Sequence, residues 1–373
     1  MRVEKFITLQ GQERYMVVDS QAEPVLVINR FLKFKDNAGK ARNTLRAYAY
    51  QLSLYFEYLE QKKLDYREAV LEDIAAYMRW LQKLERQDGI VEMRKSGRSL
   101  RNVTINTYVS TVTEFYSFLM RIEDDKNKLS EKLKIQLSSS KRGYKDFLYH
   151  VNRGKNFDGR YLKLKEEKIE KRVLEPLEVQ QLVDACRNGR DAFLLTLLYE
   201  TGFRIGECLA LWLEDIDIVA RTITIMDRGY LSNNAEIKTV TSERTINVSE
   251  NLINRFLDYV ADYHDETIET NFVFFKITGM HQGEPLDYQC IDALFKKLRK
   301  RTGIYATPHS FRHTHFDKLR TEGWGFEKIQ KRGGWSNVQT PMSTYSHPSE
   351  DEIRNEWQKV EKRFEIKGGE NKK

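Results

Sequence analysis

Four apolar stripes at helical spacing, set within about a hundred residues, constrain the fold of this chain more than any other feature. Pro24 precedes Val25, Leu26, Ile28, Phe31 and Leu32, which recur on one helical face. A second stripe carries Leu45, Tyr48, Leu52, Tyr55, Phe56 and Leu59, with Asn43 or Thr44 placed to cap it. Ile74, Tyr77, Met78 and Leu81 form a third, and Thr104, Ile105, Tyr108, Val112, Phe115, Tyr116 and Leu119 a fourth. Amphipathic helices of this number bury their stripes against one another, which predicts a small all-α domain over 22–125. Its aromatic residues share a face with Leu and Ile, so they belong to the core and not to a base-stacking surface. The Arg-, Gly- and Ser-rich stretch 86–100 reads as a loop.

The texture changes at Leu174-Glu175-Pro176, and five of the six prolines lie at or beyond 176. Pro176 suits the first turn of a helix through Val179, Leu182 and Val183, and 192–200 is a second, apolar helix. Thr222–Ile225 alternates like a strand; Ile237–Thr239 and Arg244–Val248 are expected to add short strands around a turn, and 272–275 an extended piece. Helices are expected near 287–301, 309–322, 325–332, 338–346 and 350–364. The fold class is therefore mostly α with a small antiparallel β-sheet. Its parts are a leader (1–21), the helical domain (22–125), a connector (126–175), an α+β domain (176–364) and a polar tail (365–373).

Charge separates these parts. The formal net charge of +7 is modest for 373 residues, yet residues 126–175 alone hold 15 basic and 7 acidic side chains. The 176–373 half is slightly acidic. A basic connector follows a polyanion backbone or simply stays solvated, and charge alone leaves those readings even. The three scattered cysteines (Cys186, Cys208, Cys290) form no CxxC pair, against a disulfide scaffold or zinc knuckle and in keeping with a reducing cytoplasm. No apolar run approaches the ~18 residues of a membrane span, and the first residues lead into no signal-peptide core. P-loop, dinucleotide and metalloprotease motifs and a magnesium carboxylate cluster are all missing, so no metal or cofactor is expected.

Three basic and aromatic motifs stand out. Thr201-Gly202-Phe203-Arg204-Ile205-Gly206-Glu207 ends an apolar helix at a capping glycine and projects Arg204 from the turn, to pair with Glu207 or to grip a phosphate. Pro308-His309-Ser310-Phe311-Arg312-His313-Thr314 sets His309 and Arg312 three apart near a helix N-terminus, where an anion is favoured. Gly333-Gly334-Trp335 is followed by Tyr345 in Thr344-Tyr345-Ser346-His347-Pro348. Each motif alone is more often structural than functional.

Order and spacing carry more. Arg204, Lys238, His309, Arg312, Trp335 and Tyr345 stand in the order of the catalytic residues of the tyrosine recombinases, the phage integrase family, which the chain resembles over nearly its full length. TGFRIGE resembles the first arginine box, Ile237-Lys238-Thr239 with Ser242–Ile246 the β-hairpin lysine region, TPHSFRHT the HxxR box, and Tyr345 with His347 the nucleophile motif. Trp335 stands where His is more usual; its indole donates one hydrogen bond but shuttles no proton. Trp335, the small leader and the long connector together point toward a transposon- or genomic-island-type recombinase, resembling the A-type transposases of site-specific transposons.

The resemblance implies a core-binding (SAM-like) domain and a catalytic domain forming a clamp on double-stranded DNA. It implies a site-specific recombinase that breaks and rejoins strands through a 3′-phosphotyrosyl link at Tyr345, without metal. Arg204 and Arg312 would hold the phosphate, Lys238 protonate the leaving 5′-hydroxyl, His309 assist Tyr345, Trp335 position the phosphate, and Glu207 orient Arg204. Arg42, Asn43, Thr44, Arg46, Lys141 and Arg142 are the candidate DNA contacts. A homotetramer on two DNA sites, accessory recombination proteins, and a bacterial cytoplasm at the nucleoid follow from the same resemblance. A type IB topoisomerase and a DNA-binding regulator that keeps the fold remain as alternatives; a regulator has no need of Tyr345 or Lys238.

Overall fold

The computed structural model describes residues 1–9, 11–83, 100–122, 134–137, 157–160, 162–167, 171–237, 242–265, 268–345, 354 and 357–359. The chain divides into two compact units, Met1–Ile169 and Glu170–Lys373.

In the first unit each apolar stripe becomes a helix: α1 (Leu26–Asn37), α2 (Arg42–Lys62), α3 (Leu71–Lys83) and α4 (Asn102–Ile122). Their stripes close on a core that includes Ile28, Phe31, Leu52, Tyr55, Tyr77, Ile105 and Phe115, all fully buried. The aromatic residues pack edge to face, as in Phe31 with Phe115 at 5.7 Å and Tyr55 with Tyr77 at 5.0 Å. Such pairs add about 0.5–1.5 kcal/mol each beyond area burial. Burying Tyr55 and Tyr116 is tolerable because their hydroxyls bond each other at 2.8 Å, and Tyr116 also donates to the Tyr66 carbonyl. These rings are core, as their shared face with Leu and Ile predicts.

Three local expectations for this unit change. Helix α2 starts at Arg42, before either expected cap; Ala41 occupies the cap position and offers no side-chain bond. Residues 1–21 contain an antiparallel hairpin, β1 (Arg2–Ile7) with β2 (Glu13–Val18), in the register Arg2↔Val18 to Ile7↔Glu13. Val17 of that hairpin enters the helical core, and Arg14 pairs with Asp36 of α1 at 2.8 Å. Part of the connector also belongs here: buried Asn106 of α4 donates to the Leu164 carbonyl and accepts from the Leu164 N–H, both at 2.9 Å. Strands β3 (Lys134–Leu137) and β4 (Phe157–Arg160) pair antiparallel. The loop expected over 86–100 lies outside the described residues apart from Leu100.

The second unit begins its regular structure with α5 (Pro176–Asp184), whose first residue is the proline, and α6 (Gly189–Thr201), capped by Asn188. A short α7 (Ile205–Leu209) leads to a three-stranded antiparallel sheet of β5 (Ile216–Asp217), β6 (Thr222–Ile225) and β7 (Arg244–Asn247), with β6 central. Strand β5 is additional to the sequence reading; of the strand expected over 237–239, Ile237 is outside any strand and 238–239 lie outside the described residues. The extended piece at 272–275 bridges to Trp212 and Pro285. Helix α8 (Glu250–Tyr263), capped by Ser249, is additional to the sequence reading. Helices α9 (Tyr288–Thr302), α10 (Pro308–Thr321), α11 (Phe326–Gly333) and α12 (Gln339–Tyr345) match expectation to within a residue or two. Most of the tail helix expected over 350–364 lies outside the described residues. Among the described residues no helix is long and apolar enough to cross a membrane.

Candidate active site

The second unit gathers the ends of α6, α10, α11 and α12 around two arginines. Helix α6 stops because Gly202 takes the left-handed conformation (φ 63°). A Cβ there would come within 2.6 Å of the His315 ring, so only glycine fits. The turn leaves the Gly202 carbonyl pointing at α10, where the Arg312 guanidinium donates to it at 2.7 Å and to the Gly333 carbonyl at 2.7 Å. Arg312 is 3% exposed and lies 4.4 Å from the centroid of the Trp335 ring and 4.9 Å from that of Phe316. Burial and then the neighbouring Arg204 push its pKa down to about 9, so it stays charged at neutral pH.

Arg204 opens α7 two residues later. Its guanidinium donates to Glu207 at 2.8 Å and reaches the Gly333 and Gly334 carbonyls at 3.4 Å, and its backbone N–H bonds the same carboxylate at 2.9 Å. Glu207 therefore holds both ends of Arg204. Arg244 of β7 grips it from the other side at 2.9 and 3.2 Å and donates onward to the carbonyls of Arg332 and Ser242. Burial raises the Glu207 pKa, but hydrogen bonding and charge from Arg244, then Arg204 and Arg312, outweigh it and leave the carboxyl below its usual value. The carboxylate is thus ionised and fully engaged.

The glycine pair is as specific as the arginines. A Cβ on Gly333 would sit 2.0 Å from the Trp335 ring, and one on Gly334 (φ 61°) 2.7 Å from the Arg244 guanidinium. Both glycines let the chain pass between Trp335 and the arginines.

Tyr345 ends α12 and is 6% exposed, packed with Phe316 and Trp335. Burial raises its pKa, Arg312 works against that rise and Asp317 adds to it. Its hydroxyl lies 3.0 Å from Nδ1 of His313, and the Lys171 ammonium lies 5.8 Å from its ring centroid. His309 is exposed on the first turn of α10, its ring 4.3 Å from that of His313. Two residues after His313, buried His315 donates from Nδ1 to the Tyr199 carbonyl and accepts from Arg332 at Nε2. Burial first, then Arg332, holds its pKa down to about 3.

Of the residues singled out in the sequence, Arg204, Glu207, Arg312, Trp335 and Tyr345 come together, with His309 at the rim. Lys238, Lys141, Arg142 and His347 lie outside the described residues. In the first unit Asn43 and Arg46 are exposed, Thr44 is half-buried, and Arg42 is largely buried against Glu13 at 3.0 Å. Sequence reasoning passes over Arg244, His313 and Lys171. His313 has a signal, since it is four residues from His309 and shares its helical face. Arg244 and Lys171 have none, because only the tertiary fold brings them in.

Comparison with known proteins follows the same pattern. The model of the "Phage integrase family" matches residues 172–352, and that of the "Phage integrase, N-terminal SAM-like domain" matches 28–123. Transposase A from transposon Tn554 of Staphylococcus aureus is 35% identical over 353 residues, 95% of this chain and 96% of that one. The chain belongs to the phage integrase family of tyrosine recombinases. Another relative of this recombinase is the tyrosine recombinase XerD of Staphylococcus haemolyticus, 22% identical over 339 residues, 88% of this chain and 96% of that one. Among solved structures, the Tn1549 transposon integrase in complex with transposon right end DNA superposes with a TM-score of 0.61 at 20% identity. That superposition covers 90% of this recombinase and 99% of that chain, a likeness of fold.

Proposed function

We propose that this recombinase cleaves and rejoins double-stranded DNA at specific sites by transient covalent attachment to Tyr345, and that it serves a transposon as a transposase. The convergence of Tyr345, Arg204, Arg312 and Trp335 on one small region of the second unit carries the reading. In it, the Tyr345 oxygen attacks phosphorus and the phosphotyrosyl ester conserves the bond energy. Arg204 and Arg312 face the nonbridging oxygens, fixed in advance by backbone carbonyls and Glu207, so little reorganisation accompanies charge development. The guanidiniums take the part that a divalent cation plays in other phosphoryl transfers. Lys238 protonates the leaving 5′-oxygen by its place in the family order, and Trp335 packs against Arg312 and donates to the phosphate.

Rejoining requires a 5′-hydroxyl from a second site to attack the ester, which a homotetramer on two sites, with accessory proteins where the element supplies them, would bring about. Asn43, Thr44 and Arg46 on α2, with Lys141 and Arg142, are assigned to phosphates and bases; Arg42 acts through Glu13, which already balances its charge.

The test is incubation with a nicked suicide substrate carrying the element's end. A protein–DNA adduct on a denaturing gel, lost in Tyr345→Phe, is expected. An adduct that survives Tyr345→Phe, or wild-type protein that forms none on a verified site, would refute the proposal.

A further inference from the structure

We propose that His313, not the exposed His309, is the group that takes the proton from the Tyr345 hydroxyl when DNA is cleaved and returns it on rejoining. The inference rests on the reading of Tyr345 as nucleophile and adds a catalytic residue to it. His313 Nδ1 stands 3.0 Å from the phenol oxygen, within the reach a general base needs. Both residues are buried, at 8% and 6% exposure, so the pair is shielded from bulk solvent. His309, by contrast, sits at the exposed rim with its ring edge-on to His313 at 4.3 Å, placed to orient that imidazole.

The surroundings explain how a buried imidazole serves. The groups acting on the His313–Tyr345 pair are His309, Lys171 and Arg312 around the imidazole, and Arg312 and Asp317 around the phenol. Burial first, then His309, Lys171 and Arg312, holds its pKa down to about 4, so at neutral pH the ring is uncharged and its lone pair is available. The same cations disfavour the imidazolium until a phosphodiester arrives. Its negative charge, held by Arg204 and Arg312, offsets that field and makes proton transfer to His313 favourable only with substrate in place. Burial likewise disfavours a free phenolate. Proton transfer therefore accompanies attack: the Tyr345 O–H proton moves to Nδ1, the Oη–P bond forms, and the P–O5′ bond breaks with Lys238 protonating the oxygen. The reverse sequence restores both groups on rejoining.

The test is single-turnover cleavage of the suicide substrate by His313→Asn, which keeps an acceptor near the Nδ1 position but takes no proton, and by His313→Ala. Each should slow cleavage by about 10²–10⁴-fold, the usual contribution of a general base. Replacing Tyr345 with a polyfluorinated tyrosine, whose phenol ionises without help, should restore either variant to within about tenfold of the fluorinated wild type. That recovery shows the variant is folded and lacked only a base. Cleavage at the wild-type rate in His313→Asn and His313→Ala, or slow cleavage that fluorination leaves unchanged in both, would overturn the proposal. Tyr345→Phe run in parallel keeps the two readings apart: an adduct there refutes the nucleophile itself, whereas its loss beside unimpaired His313 variants refutes only the base.

Discussion

Glu207→Gln tests the frame that holds the Arg204 and Arg244 guanidiniums. The carboxylate is 2% exposed and makes four hydrogen bonds: from the Arg204 backbone, from the Arg204 guanidinium, and two from Arg244, whose side chain is itself 8% exposed. Glutamine has the same shape but no charge, and its NH₂ must face a guanidinium. Breaking one buried pair by removing a partner costs about 3–5 kcal/mol, because the other charge stays buried without compensation. For a unit of this size, about 2–4 °C of melting temperature accompanies each kcal/mol, so a fall of roughly 6–20 °C is expected. Thermal unfolding followed by circular dichroism measures it. The folded carboxyl lies below its usual 4.5, so its contribution is complete above that pH and fades as pH falls through the folded value. The gap between wild type and variant should be full at pH 7 and close in acid. Adding Arg244→Met to Glu207→Gln removes the stranded cation and should recover about 0.5–3 kcal/mol of the loss. A melting temperature within about 1 °C of wild type at pH 7, or no recovery in the double variant, would refute the reasoning.

Other outcomes follow from the same geometry. Arg312→Lys keeps a charge but loses the fork that spans the Gly202 and Gly333 carbonyls, and cleavage should fall by about 10²–10³ in a single-turnover assay while DNA affinity changes little. Gly333→Ala drives a methyl into the Trp335 ring and should lower both melting temperature and cleavage rate, whereas Gly229→Ala, strained in backbone but with open space around it, should leave cleavage intact. His315 is held neutral in the fold, so the unfolded chain binds the extra proton first. Stability should be complete above about pH 6.5 and decline as pH falls toward 3, and His315→Gln should flatten that decline in urea titrations at stepped pH. Replacing Lys141 and Arg142 by Gln should reduce the slope of log affinity against log salt by about 0.9 for each phosphate that is no longer neutralised.

The helical unit is legible in the sequence because its stripes answer to local periodicity alone: Ile28, Tyr55, Tyr77 and Phe115 are buried where the spacing puts them. The hairpin β1–β2 is not, because its outer strand is largely exposed and carries no strict alternation. Strand β5 is equally hidden because two residues give no period. In the site, Arg204, Arg312 and Tyr345 are recognisable from motif order, since each follows a local punctuation of glycine, proline or helix end. Arg244 reads in the sequence as part of a strand without a role, because its partners Glu207 and Arg332 are 37 and 88 residues away and no spacing rule joins them. His313 shows the opposite failing: its spacing from His309 is visible, but its contact with Tyr345 depends on how α12 packs on α10.

The central claim is that Tyr345 becomes covalently joined to DNA. Trapping the adduct on a suicide substrate, digesting it with protease and nuclease, and mapping the modified peptide by mass spectrometry tests it most directly. A nucleotide on the oxygen of Tyr345, joined through a 3′-phosphate, is the predicted result; a nucleotide on any other residue, or a 5′-linkage, would contradict it.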